Sequence, residues 1–304
     1  MDLYYFFAAA IFVFGLALGS FLNVCIHRLP RGLSVVSPRS ACPSCNTPIA
    51  AYDNIPVLSW LILRGRCRRC HERITPRYAI VELICGLLFL FVFLYFGLTL
   101  ATLKYFLFSF LILGLIFTDA ETHLLPDKMT LPGFAAGLVF AFVVPVTGLL
   151  SRYFPDAFSA MPEIGWRVLS FSDALVAAAV GAGFIWLAGE VYMRVRGIEG
   201  MGFGDVKLMA LIGAFLGLKL TLFVLFAASL AGGVYGMLVL VRVFSKRLGR
   251  YARAGVRNAR QRAWDSASLA LRYLELPFGV FLGGMSLVAL FFGDNLLKWY
   301  LGQF

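Results

Sequence analysis

Long apolar stretches constrain this chain more than any other feature of its sequence. Hydrophobic residues fill 61% of its 304 positions, and charged residues only 14%. A helix needs about 20 apolar residues to cross the hydrocarbon core of a bilayer. We therefore predict an all-α polytopic membrane protein with about eight transmembrane helices, at 3–24, 79–97, 101–117, 129–150, 172–193, 205–218, 220–241 and 276–293. Tight turns between the second and third and between the sixth and seventh spans predict helical hairpins.

The net charge of +11 follows from membrane topology. Lys and Arg concentrate in 26–78, 194–207 and 242–274, which an outside N-terminus places in the cytoplasm. No Lys or Arg precedes the first span, so we do not expect a cleavable secretory signal. Eight spans then return the C-terminus to the outside. The basic segments are expected to bind anionic lipid by electrostatic attraction. We predict no nucleic-acid partner.

Two cysteine pairs lie in the first cytoplasmic segment, Cys42-Pro-Ser-Cys45 and Cys67-Arg-Arg-Cys70. Two residues between thiolates form a tight knuckle, and two such knuckles are typical of structural zinc sites. Disulfides are rare in a reducing compartment. They remain an alternative, as do a redox motif and His71 as a substitute ligand. We predict structural zinc on the four cysteines.

Two aspartates adjoin apolar spans: Asp119 ends the third, and Asp205 begins the sixth. The topology places both on the cytoplasmic side. An ionisable residue at the edge of a bilayer is by default a functional candidate, and two adjacent carboxyl groups that share one proton are the chemical requirement of an aspartyl protease. The alternative for Asp205 is a carboxylate that only stabilises a helix start.

The strings around these aspartates resemble a known family. Asp119 with Pro126-Asp127 downstream, and Gly202-Phe-Gly204-Asp205-Val-Lys207, resemble the type IV prepilin peptidases, which are intramembrane aspartyl proteases of the Gly-x-Gly-Asp class. Further similarity lies in 15–24, 52–60 and 277–279. The resemblance implies that Asp119 and Asp205 are catalytic. It also implies that a pilin or pseudopilin precursor is cut between Gly and, usually, Phe. We expect supporting roles for Gly202, Gly204, Asp127 and Lys207.

Many members of that family also methylate the new N-terminal amine with S-adenosylmethionine, and the resemblance extends to the cysteine loop. The expected cofactor-binding residues are Asn23, Asp53, Asn54, Glu82 and Gly86. No glycine-rich Rossmann fingerprint is present, so the cofactor pocket must be of another kind. The alternatives are an interfacial cap for Asn23, an ion pair with Arg77 for Glu82, and close helix packing for Gly86.

The predicted organisation has three parts: a first transmembrane helix (1–25), a cytoplasmic four-cysteine zinc loop (26–78) and a transmembrane peptidase domain (79–304). The basic segment 242–274 is predicted to lie on the inner leaflet or to dock pilus or secretion assembly machinery. The location implied is the bacterial inner membrane. Other hypotheses are a peptidase without methylation, a proton-coupled transporter using Asp119 and Asp205, and a zinc-bearing scaffold without catalysis.

Overall fold

The computed structural model describes residues 2–144, 163–197, 202–272 and 277–302, and these ranges are mainly helical except for the loop 32–76. Within these ranges, six helices are long and apolar enough to cross a membrane, namely α1, α3, α4, α6, α7 and α9, which confirms a helical multi-pass membrane protein. The helices are α1 (Asp2–Arg28), α2 (Leu58–Ile62), α3 (Arg77–Phe96), α4 (Leu100–Thr122), α5 (Asp127–Val143), α6 (Glu163–Arg196), α7 (Phe203–Arg253), α8 (Ala259–Arg272) and α9 (Phe278–Leu301).

Helix α7 consists of two segments that meet at Gly217, whose φ of 75° is not helical. Its contacts with α9 show a reversal of direction. Gly279 of α9 faces Asp205, Gly293 faces Leu220, and Phe281 contacts Tyr235 with ring centroids 5.6 Å apart. A straight helix would separate positions 205 and 235 by about 45 Å. The chain therefore turns back at Gly217, as the predicted hairpin requires.

The predicted spans differ from the helices mainly at their ends. Helix α1 continues to Arg28, α4 to Thr122 and α9 to Leu301, and α6 already begins at Glu163. Each extension contains charged residues, which interrupt an apolar stretch, although those of α6 and α9 also contain apolar residues. The predicted span 129–150 corresponds to α5 as far as Val143, and its part beyond 144 lies outside the described residues, as does position 276.

The centre of the fold is the first segment of α7, which packs against α4, α5 and α6. Phe215 lies between rings of α4 and α5, 5.2 Å from Phe108 and 6.4 Å from Phe140 by ring centroids. On its other side, a Cβ on Gly213 would lie 2.6 Å from the Ala177 backbone of α6. Small residues that allow such close approach drive helix association in membranes. Asp205 begins this central segment, so its position is fixed by the most tightly packed part of the chain.

One end of the helix bundle carries the functional candidates. The C-termini of α1 and α4 meet there with the N-termini of α3, α5, α7 and α9. Arg77 at the start of α3 pairs with Glu121 near the end of α4. Lys207 Nζ of α7 lies 2.5 Å from Asp127 Oδ1 of α5. The cysteine loop, which joins α1 to α3, therefore emerges at the same end as both aspartates.

The basic segment 242–274 extends α7 and then folds back as α8. Phe244 and Trp264 make an edge-to-face contact with centroids 5.9 Å apart, and Arg247 Nη1 donates to Ser266 O at 2.8 Å. Ala263 and Ala267 are buried. The segment is thus a basic helical hairpin, while residues 273 and 274 lie outside the described part of the chain.

Candidate active site

The structure brings Asp119 and Asp205 together against one glycine. Both residues are more than nine-tenths buried. A Cβ built on Gly279 would lie 2.8 Å from Asp119 Oδ2 and 3.3 Å from Asp205 Oδ1. The Val280 N–H at the start of α9 donates to Asp119 Oδ2 at 3.0 Å, so the first turn of α9 orients this carboxylate. The pair lies at the end of the bundle where the cysteine loop emerges.

The supporting residues predicted from the motifs surround this pair. Lys207, one half-turn beyond Asp205, forms the ion pair with Asp127. Asp127 is the first residue of α5, and no side chain caps that helix at Pro126, so the side-chain contact that the structure shows for Asp127 is this ion pair. A Cβ on Gly204 would lie 3.0 Å from Leu125 Cβ, which fixes the α4–α5 connection beside the dyad. Gly202 caps α7 through its carbonyl, which accepts from Asp205 N at 3.1 Å, and position 201 is outside the described residues.

The four cysteines converge as predicted. Their sulfur atoms all lie within 4.8 Å of one another, and the Cys42 and Cys70 Sγ atoms are 3.7 Å apart. Tetrahedral zinc with bonds of about 2.3 Å separates its sulfur ligands by about 3.8 Å. The donor set and its spacing fit one zinc ion. His71 has a φ of 57° and is exposed; among the described residues the metal-binding group contains cysteines only.

The loop contains a structural repeat that is not evident in its sequence. Residues 41–48 and 66–73 each place a short β-bridge around a Cys-x-x-Cys knuckle, between Ala41 and Pro48 and between Arg66 and Arg73. In each knuckle the residue after the second cysteine has a positive φ, 53° at Asn46 and 57° at His71. The two halves are 25 positions apart and share few residues besides cysteine. Two equivalent knuckles facing each other are the arrangement that one structural metal ion needs.

Known protein families match both the N-terminal part of the chain, with the cysteine loop, and the part that carries Asp119 and Asp205. A family described as the bacterial peptidase A24 N-terminal domain matches residues 13–96, and the type IV leader peptidase family matches residues 105–237. A prepilin leader peptidase/N-methyltransferase from Aeromonas salmonicida is 34% identical over 96% of this chain and 92% of that protein. A protein of the same name from Myxococcus xanthus is 41% identical over 77% of this chain and 64% of its own length. The chain belongs to the type IV leader peptidase family. No solved structure matches it.

The family resemblance implies five cofactor-binding residues. Three of them lie where α1 meets α3. Asn23 is buried and its Nδ2 donates to Tyr78 O at 3.0 Å. The Glu82 carboxylate accepts from Val57 N of the cysteine loop at 2.8 Å. A Cβ on Gly86 would lie 2.8 Å from Leu16 Cδ2 of α1. The packing alternative for Gly86 is therefore correct as a description of its contacts, whereas Asn23 and Glu82 connect α1, α3 and the loop.

The other two, Asp53 and Asn54, lie in a short 3-10 turn, Ala51–Asn54, within the cysteine loop. Arg68 binds Asp53 through two nitrogens, with Nε 2.8 Å from Oδ2 and Nη2 2.6 Å from Oδ1. The hydrogen bond and charge of Arg68 hold the pKa of the Asp53 carboxyl below its usual range. Asp53 thus links the 3-10 turn to the second knuckle, while Asn54 is exposed.

The ion pair of Arg77 differs from the sequence-based alternative. Arg77 was considered as a partner of Glu82, but it pairs with Glu121 instead. Positions 77 and 82 are five apart and lie about 140° apart around a helix, so the two side chains diverge. Glu121 is two residues after Asp119, and the Arg77 ion pair therefore joins the N-terminal family domain to the helix that carries Asp119.

Gly279→Ala tests the role of the first turn of α9 in this family member. The added Cβ would lie 2.8 Å from Asp119 Oδ2, so the dyad must move. Because a displacement of about 1 Å costs about 100-fold in rate, we expect kcat for peptide cleavage to fall by about 10- to 100-fold. The matched control is Gly284→Ala, where a Cβ meets no atom within 4 Å. Equal loss in both variants would contradict a specific effect on the dyad.

Proposed function

We propose that this chain is a membrane-embedded aspartyl endopeptidase that removes the leader of a type IV prepilin or pseudopilin and N-methylates the new N-terminus. The observation that carries the proposal is the convergence of Asp119 and Asp205 on Gly279, at the end of the bundle where the cysteine loop emerges. Relatives of this chain are named prepilin leader peptidase/N-methyltransferase, and both matched domains are present. The proposed cleavage site is a Gly–Phe junction.

In the proposed cleavage step, one aspartate acts as base and the other as acid. The base takes a proton from water, which attacks the scissile carbonyl carbon, while the acid gives its proton to the carbonyl oxygen. The roles then reverse as the C–N bond breaks and the amine leaves with a proton. Val280 N–H holds the Asp119 carboxylate in place, and burial of both groups excludes bulk water from the reacting atoms.

For methylation, we propose that the α1–α3 seam and the cysteine loop hold S-adenosylmethionine, which supplies the methyl group when bound. Buried polar groups there, among them Asn23 and Glu82, suit a small charged ligand. The Val57–Glu82 hydrogen bond joins the loop to this seam. Four thiolates that fit zinc would keep the loop folded, because the loop buries little apolar surface of its own. Asp53, Asn54 and Gly86 remain candidates for orienting the cofactor.

The proposed setting is the bacterial inner membrane, with the dyad and zinc loop at the cytoplasmic face and both termini outside. Eight spans result if α5 crosses the membrane and if the two segments of α7 count separately; the reversal at Gly217 supports this count. The strongly basic hairpin of α7 and α8 supports a cytoplasmic position for this end. We propose the three-part division at 1–25, 26–78 and 79–304, with lipid or assembly machinery as partners of 242–274.

A single assay separates the bifunctional enzyme from a peptidase without methylation. Purified protein is incubated with a synthetic prepilin and isotopically labelled S-adenosylmethionine, and mass spectrometry follows both products. We expect a leaderless peptide and a mass increase of one methyl group on its N-terminal residue. A matched substrate that is already cleaved but N-terminally acetylated should gain no label, because its amine is blocked. Cleavage without any methyl transfer would contradict the bifunctional enzyme and support a peptidase without methylation.

A further inference from the structure

Three buried polar atoms without partners cluster at the junction of α1 and α3. Among the residues that the structure describes, five buried side-chain nitrogen or oxygen atoms lack a hydrogen-bond partner. Three of these are Asn23 Oδ1, Arg77 Nε and Arg77 Nη2, and both residues flank Tyr78. Buried polar groups in native proteins are nearly always hydrogen-bonded, and leaving one unpaired is costly. The cluster is therefore expected to meet a ligand of its own.

The geometry of Arg77 defines the anionic half of that ligand. Its Nη1 is engaged by Glu121, and the guanidinium stacks over the Tyr78 ring at 4.8 Å. Nε and Nη2 form the other edge of the guanidinium, a two-donor fork that matches a carboxylate or a phosphate. Arg68 uses the same edge to bind Asp53, whereas the fork of Arg77 is unpaired.

Surrounding charge and enclosure restrict the ligand further. His27 lies within electrostatic range of Arg77, Arg28 and Arg31, and Arg28 and Arg31 already donate to backbone carbonyls. The fork atoms are shielded from the outer surface, and the cysteine loop is bound close by through Val57 and Glu82. A small molecule enclosed beneath the loop fits this setting better than a lipid headgroup at the bilayer surface.

Asn23 supplies the complementary half of the site. It is 4% exposed, its Nδ2 is bound by Tyr78 O, and its Oδ1 is an unpaired acceptor. The Arg77 fork can donate to a carboxylate, and the Asn23 carbonyl oxygen beside it can accept from an ammonium group. An α-amino acid has one of each. The new N-terminus of a cleaved substrate offers an ammonium group only and leaves the fork unpaired.

We infer that Arg77 and Asn23 bind the amino-acid head group of S-adenosylmethionine, with the Arg77 fork on its α-carboxylate and Asn23 Oδ1 accepting from its α-ammonium. This inference rests on the proposed methyltransferase function and assigns Arg77 a binding role. Glu121 and Asp119 lie about 200° apart on α4, so the two faces of one helix would border the methyl donor and the dyad.

The test is an affinity ratio rather than an activity. Equilibrium dialysis of purified protein in neutral-lipid nanodiscs measures Kd for S-adenosylmethionine, its decarboxylated analogue and 5′-methylthioadenosine, which lacks the whole head group. A bidentate charged contact contributes at least about 1.5 kcal/mol, so wild type should prefer the carboxylated ligand by about tenfold or more. Arg77→Gln should bring this ratio close to one while leaving the affinity for 5′-methylthioadenosine unchanged. Arg77→Lys, which keeps the charge but lacks the fork, should lose most of the preference.

Arg250→Gln is the matched control, because it removes the same charge from the distant hairpin and should keep the wild-type ratio. A wild-type ratio in Arg77→Gln would overturn the inference, as would no preference in the wild type. If anionic lipid that copurifies with the wild type, counted by mass spectrometry before transfer to nanodiscs, is lost from Arg77→Gln while the ratio stays unchanged, the fork serves a lipid phosphate and the inference also fails. If the wild type binds no S-adenosylmethionine and transfers no methyl group, the methyltransferase proposal itself fails.

Discussion

Asp119→Asn and Asp205→Asn are each expected to lower the rate of prepilin cleavage by between about 10²- and 10⁴-fold, the usual contribution of a positioned acid or base. The double variant should lose no more than the worse single variant, because the two groups act as a unit. Asparagine is nearly isosteric with aspartate, and at position 119 it still accepts the Val280 N–H, so the fold should persist. Mass spectrometry of a synthetic prepilin gives the cleavage rate.

Methylation of a pre-cleaved substrate provides the internal comparison for these variants. It should persist in both, since Arg77 pairs with Glu121, which lies about 200° around α4 from Asp119. Asp265→Asn is the matched control: it removes an equal charge from an exposed position on α8 and should cleave normally. Wild-type cleavage by both Asp119→Asn and Asp205→Asn would refute the dyad and reopen the transporter and scaffold hypotheses.

The position of the dyad could be predicted because it depends on features that are local in the sequence. Asp119 ends an apolar span and Asp205 begins one, and the alternation of spans places both at one end of the bundle. Gly279 lies in the family-like segment 277–279, but its contact with the two aspartates could not be predicted from the sequence. That contact joins its backbone to two carboxylates 160 and 74 positions earlier in the chain, and only the packing of α4, α7 and α9 determines it.

The features that the sequence did not reveal are contacts between distant segments. The two zinc knuckles share a backbone conformation but few residue types, so a comparison of residue identities detects no repeat. Arg77 pairs with Glu121, 44 positions away, because the helix geometry turns Glu82 away from it. Gly217 rather than Lys219 marks the reversal within α7, since its φ of 75° is readily available to glycine and not to a side chain with a Cβ.

Cys67→Ser is expected to reduce bound zinc from one ion per chain to nearly none and to unfold the loop between α1 and α3. In residues 32–76 only Cys42, Ser59 and Gly65 are buried, so the loop has almost no apolar core. Zinc contributes about 10–16 kcal/mol to the folding of comparable peptides. Even about 3 kcal/mol of lost local stability raises the open population, and with it the rate of trypsin cleavage in the loop, by about 100-fold.

The same variant separates the two activities. The loop contacts the α1–α3 seam through Val57 and Glu82, so its unfolding should abolish methylation, whereas the dyad is held by α4, α7 and α9 and should retain most of its cleavage activity. Cys25→Ala provides the control, because Cys25 is a buried cysteine of α1 outside the metal-binding group and should keep one zinc ion. Metal content is measured by atomic emission and methylation by isotope transfer. Full zinc content in Cys67→Ser, or methylation at the wild-type rate without zinc, would show that the loop folds independently of the metal.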